Sequence, residues 1–146
     1  AMLPFCGYNM ADYFGHWLKM GEKLQGQGAR LPAIYCVNWF RKDEAGKFVW
    51  PGYGENMRVL KWMIDRVEGR AAGQSTMFGI APRYAEINWG GLDFSPAQFD
   101  TVSRIDRDVW MQEFALHDEL FTQLAQGLPP ALLATRQALE QRLAAD

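Results

Sequence analysis

The chain has 146 residues, 49% of them hydrophobic and 22% charged, with a net charge of −2. That is enough polypeptide for one domain with its own core. The composition is that of an ordinary globular protein. It lacks the overall basic field that gathers nucleic acid and any apolar run of membrane-spanning length. Two cysteines, Cys6 and Cys36, are too few for a disulfide framework, which favours a reducing, cytoplasmic setting. Both are read as buried small hydrophobes.

Ala1-Met2-Leu3-Pro4-Phe5-Cys6-Gly7-Tyr8 is apolar from its first residue, unlike a terminus that frays in water. We read it as the continuation of a longer polypeptide. From Ala11 to Lys23 the spacing of Tyr13, Phe14, Trp17 and Leu18 predicts a helix with one apolar stripe. Leu31 to Phe40 is apolar and aromatic and predicts a strand, and Phe48 to Trp50 a short returning one. Between them the loop length decides the register. If Glu44, Ala45 and Gly46 form a three-residue loop with Gly46 left-handed, Lys42 opposes Phe48 and Phe40 opposes Trp50. Phe40, Phe48 and Trp50 then share a face. A four-residue loop would separate Phe40 from Phe48.

Pro51-Gly52-Tyr53-Gly54 reads as a turn. Glu55 to Glu68 follows as a helix with Val59, Leu60, Met63 and Val67 on its apolar face, stopped by Gly69. Thr76 to Ala81 and Ala85 to Trp89 read as short strands or extended loops. Ser95-Pro96-Ala97-Gln98 carries a cap, a first-turn proline and a capping-box glutamine. A helix is expected from Asp106 to Gln126, with Trp110, Phe114, Phe121 and Leu124 inward. Gly127 and Pro129-Pro130 break it, and a last helix runs from Ala131 to Leu143 with Leu132, Leu139 and Leu143 in line. Together these predict a single α/β domain over residues 1–146, with short mixed strands, a hairpin, flanking helices and a helical C-terminal tail.

The segment from Val37 to Asn56 holds five aromatic rings and three glycines in twenty residues. Rings at that density beside a turn and a helix start suit a flat heterocycle, since a stacked base gains roughly 1–3 kcal/mol. Stacking alone does not choose the base. The side-chain amide of Asn56 offers both acceptor and donor to a purine edge, and free N–H groups at the helix start offer further donors. Gly52 and Gly54 let the backbone come close. The plainer reading makes Phe40 and Phe48 core residues and Tyr53-Gly54-Glu55-Asn56 a helix cap.

Asn38-Trp39-Phe40-Arg41-Lys42-Asp43, Gly46-Lys47-Phe48 and Trp50-Pro51-Gly52-Tyr53-Gly54-Glu55-Asn56 with Arg58-Val59-Leu60 resemble the guanine-binding region of GTP-dependent phosphoenolpyruvate carboxykinases. Pro4-Phe5-Cys6-Gly7-Tyr8-Asn9 with His16-Trp17 is similar to the stretch after that family's mobile lid. The resemblance covers essentially the whole chain but only the C-terminal part of the family's nucleotide-binding domain. It implies an enzyme of gluconeogenesis that converts oxaloacetate and GTP to phosphoenolpyruvate, GDP and carbon dioxide: a lyase acting by decarboxylation and phosphoryl transfer. It implies that Phe40, Phe48 and Tyr53 surround the guanine, that Asn56 contacts its edge, and that Tyr53, Gly54, Glu55 and Asn56 form the nucleotide contact run. Many members have Phe where this chain has Tyr53.

The family's phosphate loop, reactive cysteine, manganese- and magnesium-binding residues and substrate arginines have no match here, and no G-x-x-x-x-G-K-[ST] occurs. Neither His16 nor His117 has companion ligands for a metal. The expectation is therefore a guanine-recognising C-terminal piece without catalytic residues. Its partners would be guanine nucleotide and the upstream part of the same enzyme, and it would self-associate through the exposed seam, with no nucleic acid or membrane partner. The competing readings are a non-catalytic aromatic module for single-stranded nucleic acid and a purely structural domain.

Overall fold

The computed structural model describes residues 3–145. Ala1 and Met2, part of the apolar start, lie outside the described residues. Five α-helices and one two-stranded antiparallel sheet appear among them: α1 Met10–Gly26, α2 Asn56–Val67, β1 Gln74–Thr76, β2 Gly79–Ala81, α3 Pro96–Ser103, α4 Arg107–Gln123 and α5 Pro130–Ala145. The chain divides into two compact units. One contains the residues up to Pro32 and those from Asp106 on; the other spans Ala33–Ile105.

In the first unit α1 starts at Asn9, whose Oδ1 accepts the Ala11 N–H at 2.8 Å. Met10 and Ala11 are its buried residues and pack with Leu124. The stripe predicted for α1 is displaced: Phe14 packs against this cluster, whereas Trp17 is half exposed and stands edge-on to Tyr13. Asp106 caps α4 by accepting the Val109 N–H, and Phe114 is fully buried. On α5 the predicted stripe contains an unforeseen charge. Arg136, which falls between Leu132 and Leu139 in the sequence, is buried, its guanidinium 4.4 Å from the Phe114 ring centre.

The second unit is built on rings. Trp50, Trp62, Ile87, Phe94 and Phe99 form its buried cluster, with Trp89 stacked on both Phe94 and Tyr84 at 4.9 and 5.2 Å. Such pairs contribute about 0.5–1.5 kcal/mol beyond their buried area, and their polar tips need partners. The Tyr84 hydroxyl donates to the Phe94 carbonyl and the Trp89 N–H to the Tyr84 carbonyl. The buried residue of α2 is Trp62; of the predicted face, Val59 and Met63 pack on the cluster while Leu60 and Val67 are exposed. After α2, the Arg70 N–H reaches the Asp65 carbonyl and the Gly69 N–H the Arg66 carbonyl, the paired bonds of a Schellman stop. Ser95 and Gln98 form the predicted capping box on α3.

Four expectations are corrected. Residues 31–40 and 48–50 do not make a ladder: a single bridge joins Lys42 and Phe48, because no described segment pairs with the rest of the extended run. Thr76 to Ala81 is not one strand but parts of two, folded back at Met77 and Phe78 with Ser75 opposite Ile80. Ala85 to Trp89 begins in a 3-10 turn. Cys36 is exposed rather than buried, since the extended run that carries it has one open side.

Candidate functional site

The hairpin takes the three-residue loop. Gly46 sits at φ +77°, and its N–H donates to the Asp43 carbonyl at 3.0 Å. The Asp43 N–H reaches the Lys47 carbonyl at 2.9 Å, and the Val49 N–H the Arg41 carbonyl at 2.9 Å. Those bonds flank Lys42 and Phe48 and make them a non-hydrogen-bonded pair, whose side chains lie close. The Lys42 ammonium accordingly stands 5.3 Å from the centre of the Phe48 ring. Asp43 Oδ1 also accepts the Lys47 N–H, tightening the loop.

Two anchors aim the hairpin. Asn38 Oδ1 accepts the Phe40 N–H at 3.0 Å, an Asx turn that sets where Phe40 leaves the chain. Arg41 Nη1 donates to the Arg104 carbonyl at the end of α3. Phe40 and Phe48 meet edge to face with centroids 5.9 Å apart.

Beyond Trp50 the chain turns through Gly52 at φ 127°, ψ −179°. That backbone is essentially restricted to glycine, so Gly52 dictates the approach to the 3-10 turn Tyr53–Glu55 and then α2. Among the described residues neither the Tyr53 nor the Gly54 N–H has a backbone acceptor. Glu55 is taken up by Arg58, Nε to Oε2 at 2.5 Å. The same guanidinium donates to the Asn88 and Gly90 carbonyls, tying the helix start to that loop.

Asn56 opens α2. Its Oδ1 accepts the indole N–H of Trp50 at 2.8 Å. An indole N–H only donates, so the amide turns its oxygen to Trp50 and keeps Nδ2 free of any protein partner among the described residues.

These pieces enclose a hollow of about 280 Å³ lined by Trp39, Phe40, Phe48, Trp50, Gly52, Tyr53 and Asn56. The structure therefore brings together four of the predicted site residues, Phe40, Phe48, Tyr53 and Asn56. Gly54 and Glu55 belong to the adjoining turn and do not line the hollow. Gly52, expected to let the backbone come close, lines the hollow; Trp39 and Trp50 join the lining without having been singled out as contacts, although strand alternation places Trp50 on the face of Phe48. Phe40, Phe48 and Tyr53 are 72%, 57% and 90% exposed, so none is a core ring. A second hollow of about 210 Å³ in the same unit is mainly apolar and includes Cys36, Trp62 and Ile87.

The described residues hold no group of three or more His, Cys, Asp or Glu side chains placed to share a metal. Among the described residues no helix is long and apolar enough to cross a membrane.

Three exposed rings and a side-chain amide at a helix start thus share one hollow. The family of the chain is explicit: the model of the phosphoenolpyruvate carboxykinase C-terminal P-loop domain matches residues 1–142, and the chain belongs to this family. It is 47% identical over 146 residues to the phosphoenolpyruvate carboxykinase [GTP] of Neocallimastix frontalis, across 99% of this chain and 24% of that protein. The enzyme of the same name from Anaeromyxobacter sp. (strain K) is 46% identical over 99% of this chain and 24% of its own length. That from Paenarthrobacter aurescens (strain TC1) is 43% identical over 98% and 23%. The chain thus spans about a quarter of the length of these relatives.

Proposed function

We propose that this chain is the guanine-recognition part of a GTP-dependent phosphoenolpyruvate carboxykinase, an enzyme that turns oxaloacetate and GTP into phosphoenolpyruvate, GDP and carbon dioxide. The observation that carries the reading is the clustering of three exposed rings, Phe40, Phe48 and Tyr53, with the Asn56 amide around one hollow. Its volume lies just under the ~300 Å³ at which ligand pockets usually begin, a size for a base rather than a whole nucleotide.

In this role the rings stack the base and exclude water from its faces. The amide of Asn56 and the open N–H groups of Tyr53 and Gly54 offer donors to its carbonyl edge. The chain orients GTP; decarboxylation and phosphoryl transfer belong to upstream polypeptide, and so do manganese and magnesium, for which the described residues have no donor cluster. No step of the chemistry is assigned to side chains of this chain.

The test is Asn56→Ala in the full-length carboxykinase carrying this chain. The KM for GTP rises about tenfold and preference over ATP is lost, with the melting temperature unchanged; retained preference overturns the reading. The chain by itself is expected to be catalytically silent and to bind GTP weakly in a calorimetric titration, because the phosphates meet no partner. Upstream polypeptide would cover apolar surface that the isolated chain exposes, and light scattering of the isolated chain should then show self-association.

A further inference from the structure

The inference rests on the guanine reading and concerns how the choice of base is made. A primary amide is nearly symmetrical in shape and, unrestrained, turns either its oxygen or its NH2 group toward a ligand. Asn56 is restrained by Trp50. That indole is buried among Trp39, Trp89 and Phe94, with centroids 5.5, 6.4 and 5.6 Å away, so its N–H cannot swing aside. A flipped amide would set NH2 against N–H in a half-buried place and leave both donors unpaired, which costs more than the hydrogen bond contributes. Only the donor end of Asn56 remains for the hollow.

We propose that Trp50 is the specificity-determining positioning residue of the site: by holding Oδ1 it fixes Asn56 as a donor, so that the hollow takes a purine with oxygen at position 6 and rejects one with an amino group there. A 6-oxopurine gives Nδ2 an acceptor. A 6-aminopurine sets donor against donor, and a site built to hydrogen-bond one group rejects its mismatch more strongly than it rewards the match. Trp50 also lines the hollow, but its N–H reaches the choice of base only through Asn56.

The experiment replaces Trp50 in the full-length carboxykinase with 3-benzothienylalanine, which keeps the bicyclic shape and has sulfur in place of N–H. Trp50→Phe is a second variant and Asn56→Ala a comparator. The readout is kcat/KM for GTP, ITP and ATP. With the N–H gone, Asn56 turns freely. The ratio of GTP to ATP is expected to fall about tenfold, the worth of one oriented hydrogen bond. Most of that fall comes from a rise with ATP, while GTP and ITP, which share the position-6 oxygen, drop less than about threefold. A structural defect would lower all three nucleotides in parallel, and that result overturns the proposal. An altered ratio in Asn56→Ala with an unaltered one in a folded benzothienyl variant overturns the role of Trp50 and leaves the guanine reading standing. An unaltered ratio in both overturns the two together. Should Trp50→Phe fail to fold, the benzothienyl variant decides.

Discussion

Phe40 and Phe48 meet edge to face at 67° because Gly46 gives the intervening turn its extra left-handed residue. Phe40 lies diagonal to Phe48 across the hairpin, within reach of aromatic side chains. Gly46→Val is expected to break the relationship. A β-branched residue in the left-handed region costs about 1–2 kcal/mol, and a four-residue loop relieves it by moving Phe48 to the opposite face. The variant should fold with a modest loss of stability, lose the ring–ring contact between Phe40 and Phe48 in nuclear Overhauser spectra, and raise the KM for GTP severalfold. An unchanged contact would show that the turn does not set the register.

Arg58 binds the first turn of α2 to the loop at Asn88 and Gly90 while pairing with Glu55. One planar fork serves three acceptors, which an ammonium cannot reproduce. Arg58→Lys should therefore behave poorly despite the retained charge. The expectation is a loss of about 1–2 kcal/mol in urea unfolding and a raised KM for GTP with kcat nearly constant, since the clamp shapes the base slot and not the reacting atoms. A fall in kcat with KM untouched would contradict this.

What could be read from the amino-acid sequence was local. The hairpin register followed from one glycine at one offset, and the α3 start from Ser95, Pro96 and Gln98 within four residues. The clustering of Phe40, Phe48, Tyr53 and Asn56 was accessible because the turn at Gly52 is encoded nearby, and because a long, nearly gapless motif resembles one family. What escaped depended on distant contacts. Residues 31–40 have strand composition, but a strand also needs a neighbour. Trp62 replaced Leu60 and Val67 at the centre of α2's buried face because Phe99 and Ile87, far along the chain, lie over it. Trp50 was visible as a ring, while its use as a donor to Asn56 required the turn to be folded.

Glu86 gives the second unit an acid-sensitive tie. Its carboxylate accepts the N–H groups of Arg83 and Gly73, each at 2.8 Å, and these bonds hold its pKa below the usual carboxylate range. A depressed folded pKa contributes stability above the unfolded value of about 4.3, and that share is lost as pH falls from there through the folded value. Asp65, lowered by Lys61 and then Arg70, has the same sign, but its partners are exposed charged side chains rather than backbone N–H groups, and salt screens their attraction. Urea midpoints followed from pH 6 to 3 should fall, and should still fall in high salt. Glu86→Gln, which accepts through one oxygen only, should lose about 1–2 kcal/mol near neutrality and flatten the remaining pH dependence. A slope unaltered by the substitution would assign the acid sensitivity elsewhere.

Arg136 is the corresponding charge in the first unit. Its Nη1 meets Glu140 and its Nη2 meets Asp118, each at 2.8 Å, over the face of Phe114. Burial works against the charge, and the carboxylates of Glu140 and Asp118 outweigh it, holding the guanidinium's pKa above its usual value. Both acidic partners are exposed while the arginine is not. Losing either one alone leaves the other, so Asp118→Asn and Glu140→Gln should each cost under about 1 kcal/mol. The double variant leaves a buried cation without a counter-charge and should cost about 3 kcal/mol, more than the two single losses together. Adding Arg136→Met to that double variant removes the stranded charge, keeps an unbranched chain against Phe114, and should restore most of the stability. Urea unfolding of the parent and the four variants measures the cycle and the recovery. Strict additivity, or no recovery on adding Arg136→Met, would mean that water rather than the two carboxylates keeps the guanidinium charged.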